Sequence, residues 1–221
     1  MISLSRRIGA LAGEWKEVIS RFTPRRERHP IASEAELRHF VATRAAEIAQ
    51  KTLYGYLRTR IGTRYPEAFR NPDFARSIDI AKLHVFAACL SDLAIHASAR
   101  ATVDPRIDDA TRAALASACL RRGLDDNAGS FVEGFSRAEA ENALEIRLAG
   151  LDWSRMGAGP ESFATSPAAL ARWAPVAPEL KKHDIEIIEN SVRFAWQEIR
   201  VDFGHRLDPQ AIAAELLAAA R

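Results

Sequence analysis

The sequence predicts an all-α fold, a single-domain bundle of six or seven helices led by an amphipathic amino-terminal helix. Three observations carry that prediction. Apolar residues recur at steps of three and four along several long segments, helix-starting and helix-stopping residues punctuate those segments, and no stretch alternates as a half-buried strand would. There is no repeat at a fixed period.

Leu4, Ile8, Leu11, Trp15, Val18 and Phe22 fall on one stripe of an amino-terminal helix, and arginines and a lysine fill its other faces. Thr23 to Pro30 then breaks the pattern with two prolines and a run of charges, which reads as an exposed basic linker. Residues 1–30 are therefore expected to form an arm, and residues 31–221 the bundle. Ser33 and Glu36 have capping-box spacing and open a long helix that Gly62 stops after Ile61. Asn71-Pro72 starts a third helix that runs to about Ala99. Its stretch from Val85 to Leu90 is apolar in every direction, which makes it the expected central element, with Leu93 and Ala88 buried.

A fourth helix is expected from Pro105 to Arg122, capped by Asp104 and ended by Gly123, and a fifth from Ser130 to Ala149. Gly150 to Pro178 changes character, with Trp153, Met156, Phe163 and Trp173 scattered without a period. The aromatics are expected to pin this segment onto the bundle, with a short helix after Ser166-Pro167. A helix from Pro178 to Phe203 buries Ile185, Ile188, Val192, Ala195 and Ile199, and Asp208-Pro209 caps a last alanine-rich helix.

With 48% hydrophobic and 27% charged residues among 221, the chain has the composition of a folded globular domain. No apolar run approaches the roughly 20 residues that span a bilayer, and no secretory leader is evident, so the expected location is the cytoplasm, with peripheral attachment at the inner face of a membrane as the variant. Cys89 and Cys119 lie in apolar contexts, as buried thiols do in a reducing compartment. Net charge is only +2, yet residues 1–65 hold 13 basic against 6 acidic residues, a net of +7, and the remainder is net −5. Such asymmetry suits an acidic partner or an anionic surface.

Several constellations bear on chemistry. His84, Asp92 and His96 share one side of the central helix, where a carboxylate beside imidazole in a pocket would serve proton transfer, as catalytic residues or as the lining of a small-ligand site. Glu36 and His39 have the Glu-x-x-His spacing of carboxylate-bridged metal bundles, but the second copy of the motif is missing and Glu36 already serves as a cap. Gly134-Phe135-Ser136-Arg137-Ala138 lacks the sheet that a nucleophile elbow needs. Tyr54, Tyr56 and Tyr65 among basic residues could stack on single-stranded nucleic acid, yet no nucleic-acid-binding signature accompanies them, so nucleic acid is not the expected partner.

The last constellation is the arm. Arg6, Arg7, Trp15, Lys16 and Arg21, followed by Arg25, Arg26 and Arg28, join an apolar seam to positive charge, a combination that docks into a partner's groove or lies on an anionic membrane surface. The chain holds no phosphate-cradling glycine loop, no metal-ligand cluster and no nucleophile in its expected setting, so neither cofactor nor metal is expected. The expected function is that of a non-catalytic helical interaction protein, an adaptor, chaperone-like factor or assembly subunit. An all-helical enzyme or small-ligand binder centred on His84, Asp92 and His96 is the alternative.

Overall fold

The computed structural model describes residues 29–157 and 160–219, and the segment expected to form the amphipathic arm lies outside them up to Arg28. The described chain is all-helical, with ten α-helices: α1 Glu34–Ile61, α2 Tyr65–Ala68, α3 Pro72–Ala101, α4 Asp109–Asp126, α5 Arg137–Ala149, α6 Trp153–Met156, α7 Thr165–Trp173, α8 Pro178–Lys181, α9 Ile185–Arg206 and α10 Pro209–Ala219. Three of the ten (α2, α6 and α8) are single turns, which the periodicity of the sequence does not register. The only β-type pairing among the described residues is an isolated bridge between Ile31 and Leu207, which fastens the chain entry to the end of α9.

Local chemistry accounts for most boundaries. The Ser33 hydroxyl accepts from the Glu36 amide, and the Glu36 carboxylate accepts from the Ala32 amide at 2.9 Å, a reciprocal cap for α1. The Ala32 amide, and after it the Ser33 hydroxyl donating to the same carboxylate, hold the Glu36 carboxyl below the usual carboxylate range. Asn71 caps α3 by accepting from Asp73 and Phe74.

The fourth helix starts later than expected. Asp104 is occupied in a turn with the Arg106 amide and guanidinium, and Asp108 takes the capping role by accepting from the Thr111 amide at 2.8 Å. Gly123 lies inside α4 rather than ending it. A Cβ there would come within 2.6 Å of Leu90, so the glycine marks a close approach of α4 to α3. The fifth helix begins at Ser136, which caps α5, because Phe131 to Phe135 form a turn with Gly134 at φ 99°.

The helix expected from Pro178 to Phe203 is broken at residues 182–184. Asp184 is fully buried, and its carboxylate accepts from the Tyr56 hydroxyl at 2.7 Å and pairs with Arg60 on α1. This inward turn leaves Ile185 44% exposed, instead of on the buried stripe.

Helix α3 is the centre. It packs against α1, α4 and α7, and every residue from Cys89 to Ala99 is buried. Leu93 is wholly enclosed and Ala88 half-buried. No helix among the described residues is long and apolar enough to cross a membrane.

Candidate functional site

His84, Asp92 and His96 stand at intervals of eight and four residues on α3, about 12 and 6 Å along the axis. The side they occupy is covered by the chain between Phe131 and Trp173, which carries α5, α6 and α7. Each residue is engaged by a different part of that cover.

Asp92 is fully buried and is the hub. Its Oδ1 accepts from Arg147 Nη1 at 2.7 Å, from the Thr165 hydroxyl at 2.7 Å and from the Thr165 amide at 3.2 Å. Its Oδ2 accepts from the Ser166 hydroxyl at 2.6 Å and the Ser166 amide at 2.8 Å. Asp92 therefore caps α7 from outside that helix, satisfying two of its first free amides with a negative charge at its positive end. The network continues outward. Trp196 on α9 donates to Ser166 Oγ at 3.0 Å, and Arg147 on α5 donates to Ser91 Oγ and to the Ser162 carbonyl. One carboxylate thus ties α3, α5, α7 and α9 together. With five donors on two oxygens its acceptor capacity is taken, which suits anchorage rather than proton transfer.

His96, also buried, donates from Nδ1 to the Met156 carbonyl at 3.2 Å and lies against Phe163, with ring centroids 5.0 Å apart. Burial pushes its pKa down to about 4, opposed by the Met156 bond and aided by the charges of Arg200 and Arg100. The ring is neutral near pH 7. His84 is half-buried; it donates from Nε2 to the Gly134 carbonyl at 2.9 Å and stacks flat on Trp173, with centroids 3.5 Å apart.

Together the three residues staple this covering segment to the central helix at Trp173 and Gly134, at Thr165 and Ser166, and at Met156 and Phe163. Trp153, Met156 and Phe163 are buried with them. No protein family, curated protein or solved structure matches this chain. Its function has to be read from its own geometry.

The remaining constellations also find structural partners. Glu36 is the cap of α1, as its spacing with Ser33 implies. Ser136 Oγ accepts from the Glu139 amide. The Tyr56 ring is buried with its hydroxyl on Asp184, Arg60 is paired with the same carboxylate, and Lys51 pairs with Glu198 at 3.0 Å. No group of three His, Cys, Asp or Glu side chains among the described residues is placed to hold a metal ion. Arg6, Arg7, Trp15, Lys16, Arg21, Arg25, Arg26 and Arg28 lie outside the described residues. An open cleft of about 660 Å³ lies at the end of α3, lined by Arg100, Arg112, Asp109, Asp152 and Trp153, among others; His84, Asp92 and His96 do not line it.

Helix α9 also carries an exposed apolar stripe. Helix α9 buries Ile188, Val192, Ala195, Trp196, Ile199 and Phe203, yet Ile187, Phe194 and Val201 are 50%, 67% and 54% exposed. At 100° per residue this second stripe stands about 150° away from the buried one. The signal is present in the sequence as a seven-residue spacing, but the stronger buried stripe on the same helix masks it.

Proposed function

We propose that this chain is a non-catalytic helical interaction protein, an adaptor, chaperone-like factor or assembly subunit. In this reading residues 31–221 form a helical bundle domain, and the basic amphipathic arm of residues 1–30 docks on a protein partner. The observation that carries the reading is the placing of polar and apolar groups. The polar cluster on the central helix is consumed in internal bonds, with five donors on Asp92, while three large apolar side chains in line on α9 stand in solvent. Exposed apolar residues are ordinary when scattered and mark contact surfaces when aligned. The arm adds a second apolar stripe on the same chain.

A second reading, docking of the arm on an anionic membrane surface, is favoured by the net charge of +7 in residues 1–65. Removing residues 1–28 tests both. His29 and Ile31 are kept because the His29 carbonyl accepts from Arg206 and the Ile31 amide donates to the Arg206 carbonyl. The shortened chain is expected to retain its helical circular dichroism and cooperative melt while losing association with a protein partner. Binding that persists at high salt identifies the apolar seam as its source, whereas binding to anionic vesicles that falls steeply with salt identifies the charges. Undiminished association after the cut would overturn the reading.

A further inference from the structure

The exposed stripe of α9 has a matching stripe elsewhere in the chain. Going along α9, Ile187, Asn190, Phe194, Gln197, Val201 and Gly204 alternate at steps of three and four and include no charged residue. Asn190 is half-buried, and the other five are exposed. In the arm, Ile8, Leu11, Trp15, Val18 and Phe22 alternate at the same steps. Setting Ile8 level with Ile187 also sets Leu11 level with Asn190, Trp15 with Phe194, Val18 with Gln197 and Phe22 with Val201. Two helices whose seams repeat every 3.5 residues keep such a register along their length.

We propose that the face of α9 carrying Ile187, Phe194 and Val201 is the seat of this chain's own residues 4–22, bound as a helix parallel to α9. The proposal rests on the reading that the seam of the arm is an interaction surface, and it assigns that surface a resting place from which a partner must displace it.

Chain geometry selects the direction. The chain enters the described structure beside the end of α9, where Arg206 Nε donates to the His29 carbonyl and the Ile31 amide donates to the Arg206 carbonyl at 2.8 Å. Phe22 lies seven residues before His29, a reach of at most about 25 Å even fully extended. In the parallel register Phe22 is level with Val201, five residues and about 8 Å from Arg206, well within reach. An antiparallel helix would bring Phe22 level with Ile187, nineteen residues and about 28 Å from Arg206, beyond it. Charge agrees with the parallel choice, because it brings Arg6 and Arg7 level with the turn of α9 that carries Glu186 and Glu189. The short tether also favours this occupant over a second copy, because an effective concentration in the mM range exceeds that of a free molecule at micromolar protein by about 100-fold or more.

The test is cross-linking in the full chain. Cys89 and Cys119 are both buried, and burial pushes the Cys119 thiol up to about 12 and that of Cys89 well above its usual value, so neither competes for reagent at neutral pH. With Val18→Cys and Gln197→Cys introduced together, a short bismaleimide should join the two within one molecule. The control pair, Val18→Cys with Ile146→Cys on the exposed face of α5, should react about 100-fold less. Leu11→Cys with Asn190→Cys repeats the test two turns away, and circular dichroism checks that each variant is folded. Adding Phe194→Asp should lower the yield about tenfold or more, since it places a charge in the seat.

Cross-linked dimers in place of monomers would assign the seat to a second copy and overturn the proposal, as would yields no greater than the control in both pairs. The yield is read without any partner, so the two readings fail separately. Efficient cross-linking in a protein that binds no partner sinks only the interaction reading, and partner binding without cross-linking sinks only the seat on α9.

Discussion

Replacing Asp92 with Asn should be among the most damaging conservative changes in this chain. The side chain keeps its shape but exchanges one acceptor oxygen for an amide donor. In either orientation that donor meets donors: Arg147 and Thr165 on one side, the Ser166 amide and hydroxyl on the other. Asp92 is fully buried and the Arg147 side chain only 15% exposed, so water repairs little of the loss. Breaking a buried ion pair by removing one partner costs about 3–5 kcal/mol, and the bonds to Ser166 and Thr165 lie within that figure because they share the same two oxygens. Urea melts with an unchanged slope would report it as a shift in midpoint. Pairing Asp92→Asn with Arg147→Met should recover at least about 1.5 kcal/mol, since the double change removes both the misplaced donor contact and the stranded guanidinium. A cost below about 1 kcal/mol, or strict additivity, would show that the cluster is not the anchor described here.

Other consequences concern single positions. His96 has its folded-state pKa depressed to about 4 from an ordinary 6.5, so its contribution is fully present above 6.5 and is lost as pH falls toward 4; the loss is about 3 kcal/mol by linkage, and His96→Gln should flatten the stability–pH profile across that window or the assignment is wrong. Leu93→Ala should cost about 2–5 kcal/mol in a denaturant melt, and a cost under about 1 kcal/mol would displace α3 from the centre. Gly55→Ala and Gly123→Ala should have opposite signs in the same assay. A methyl group at Gly55 meets nothing and gains about 1 kcal/mol of helix propensity, whereas at Gly123 overpacking against Leu90 costs about 1–3 kcal/mol and outweighs that gain. Ser98 Oγ is buried with no hydrogen-bond partner among the described residues, so Ser98→Ala should be neutral or stabilising, and a loss above about 1 kcal/mol would reveal a partner for the hydroxyl.

What the sequence discloses and what it withholds divide along physical lines. The caps at Ser33, Asn71 and Asp208 and the burial of α3 follow from local chemistry and periodicity, and they can be read directly. Asp104 and Asp108 are equally good caps in isolation; the choice between them turns on Arg106 claiming Asp104. Gly123 looks like a stop signal because its role depends on Leu90, thirty-three residues earlier in the chain. Asp184 breaks a helix only because Tyr56 and Arg60 draw it inward.

The stripe of His84, Asp92 and His96 is visible as a stripe, but what it faces is supplied by residues 50 to 74 positions away, at Gly134, Met156, Thr165 and Ser166. Spacing along one helix identifies polar side chains that share a side. Whether they meet a substrate or a covering segment depends on chain that carries no period of its own.

The most direct test of the interaction reading is native purification of the full chain and of its Leu11→Asp, Trp15→Asp variant from the cells that make it, with the mass of each intact particle measured. On the interaction reading the unaltered chain carries a protein partner in fixed ratio and the variant, with the same helical spectrum, leaves it behind. A partner retained equally by both, or a small molecule held in fixed ratio beside His84, Asp92 and His96, would contradict it.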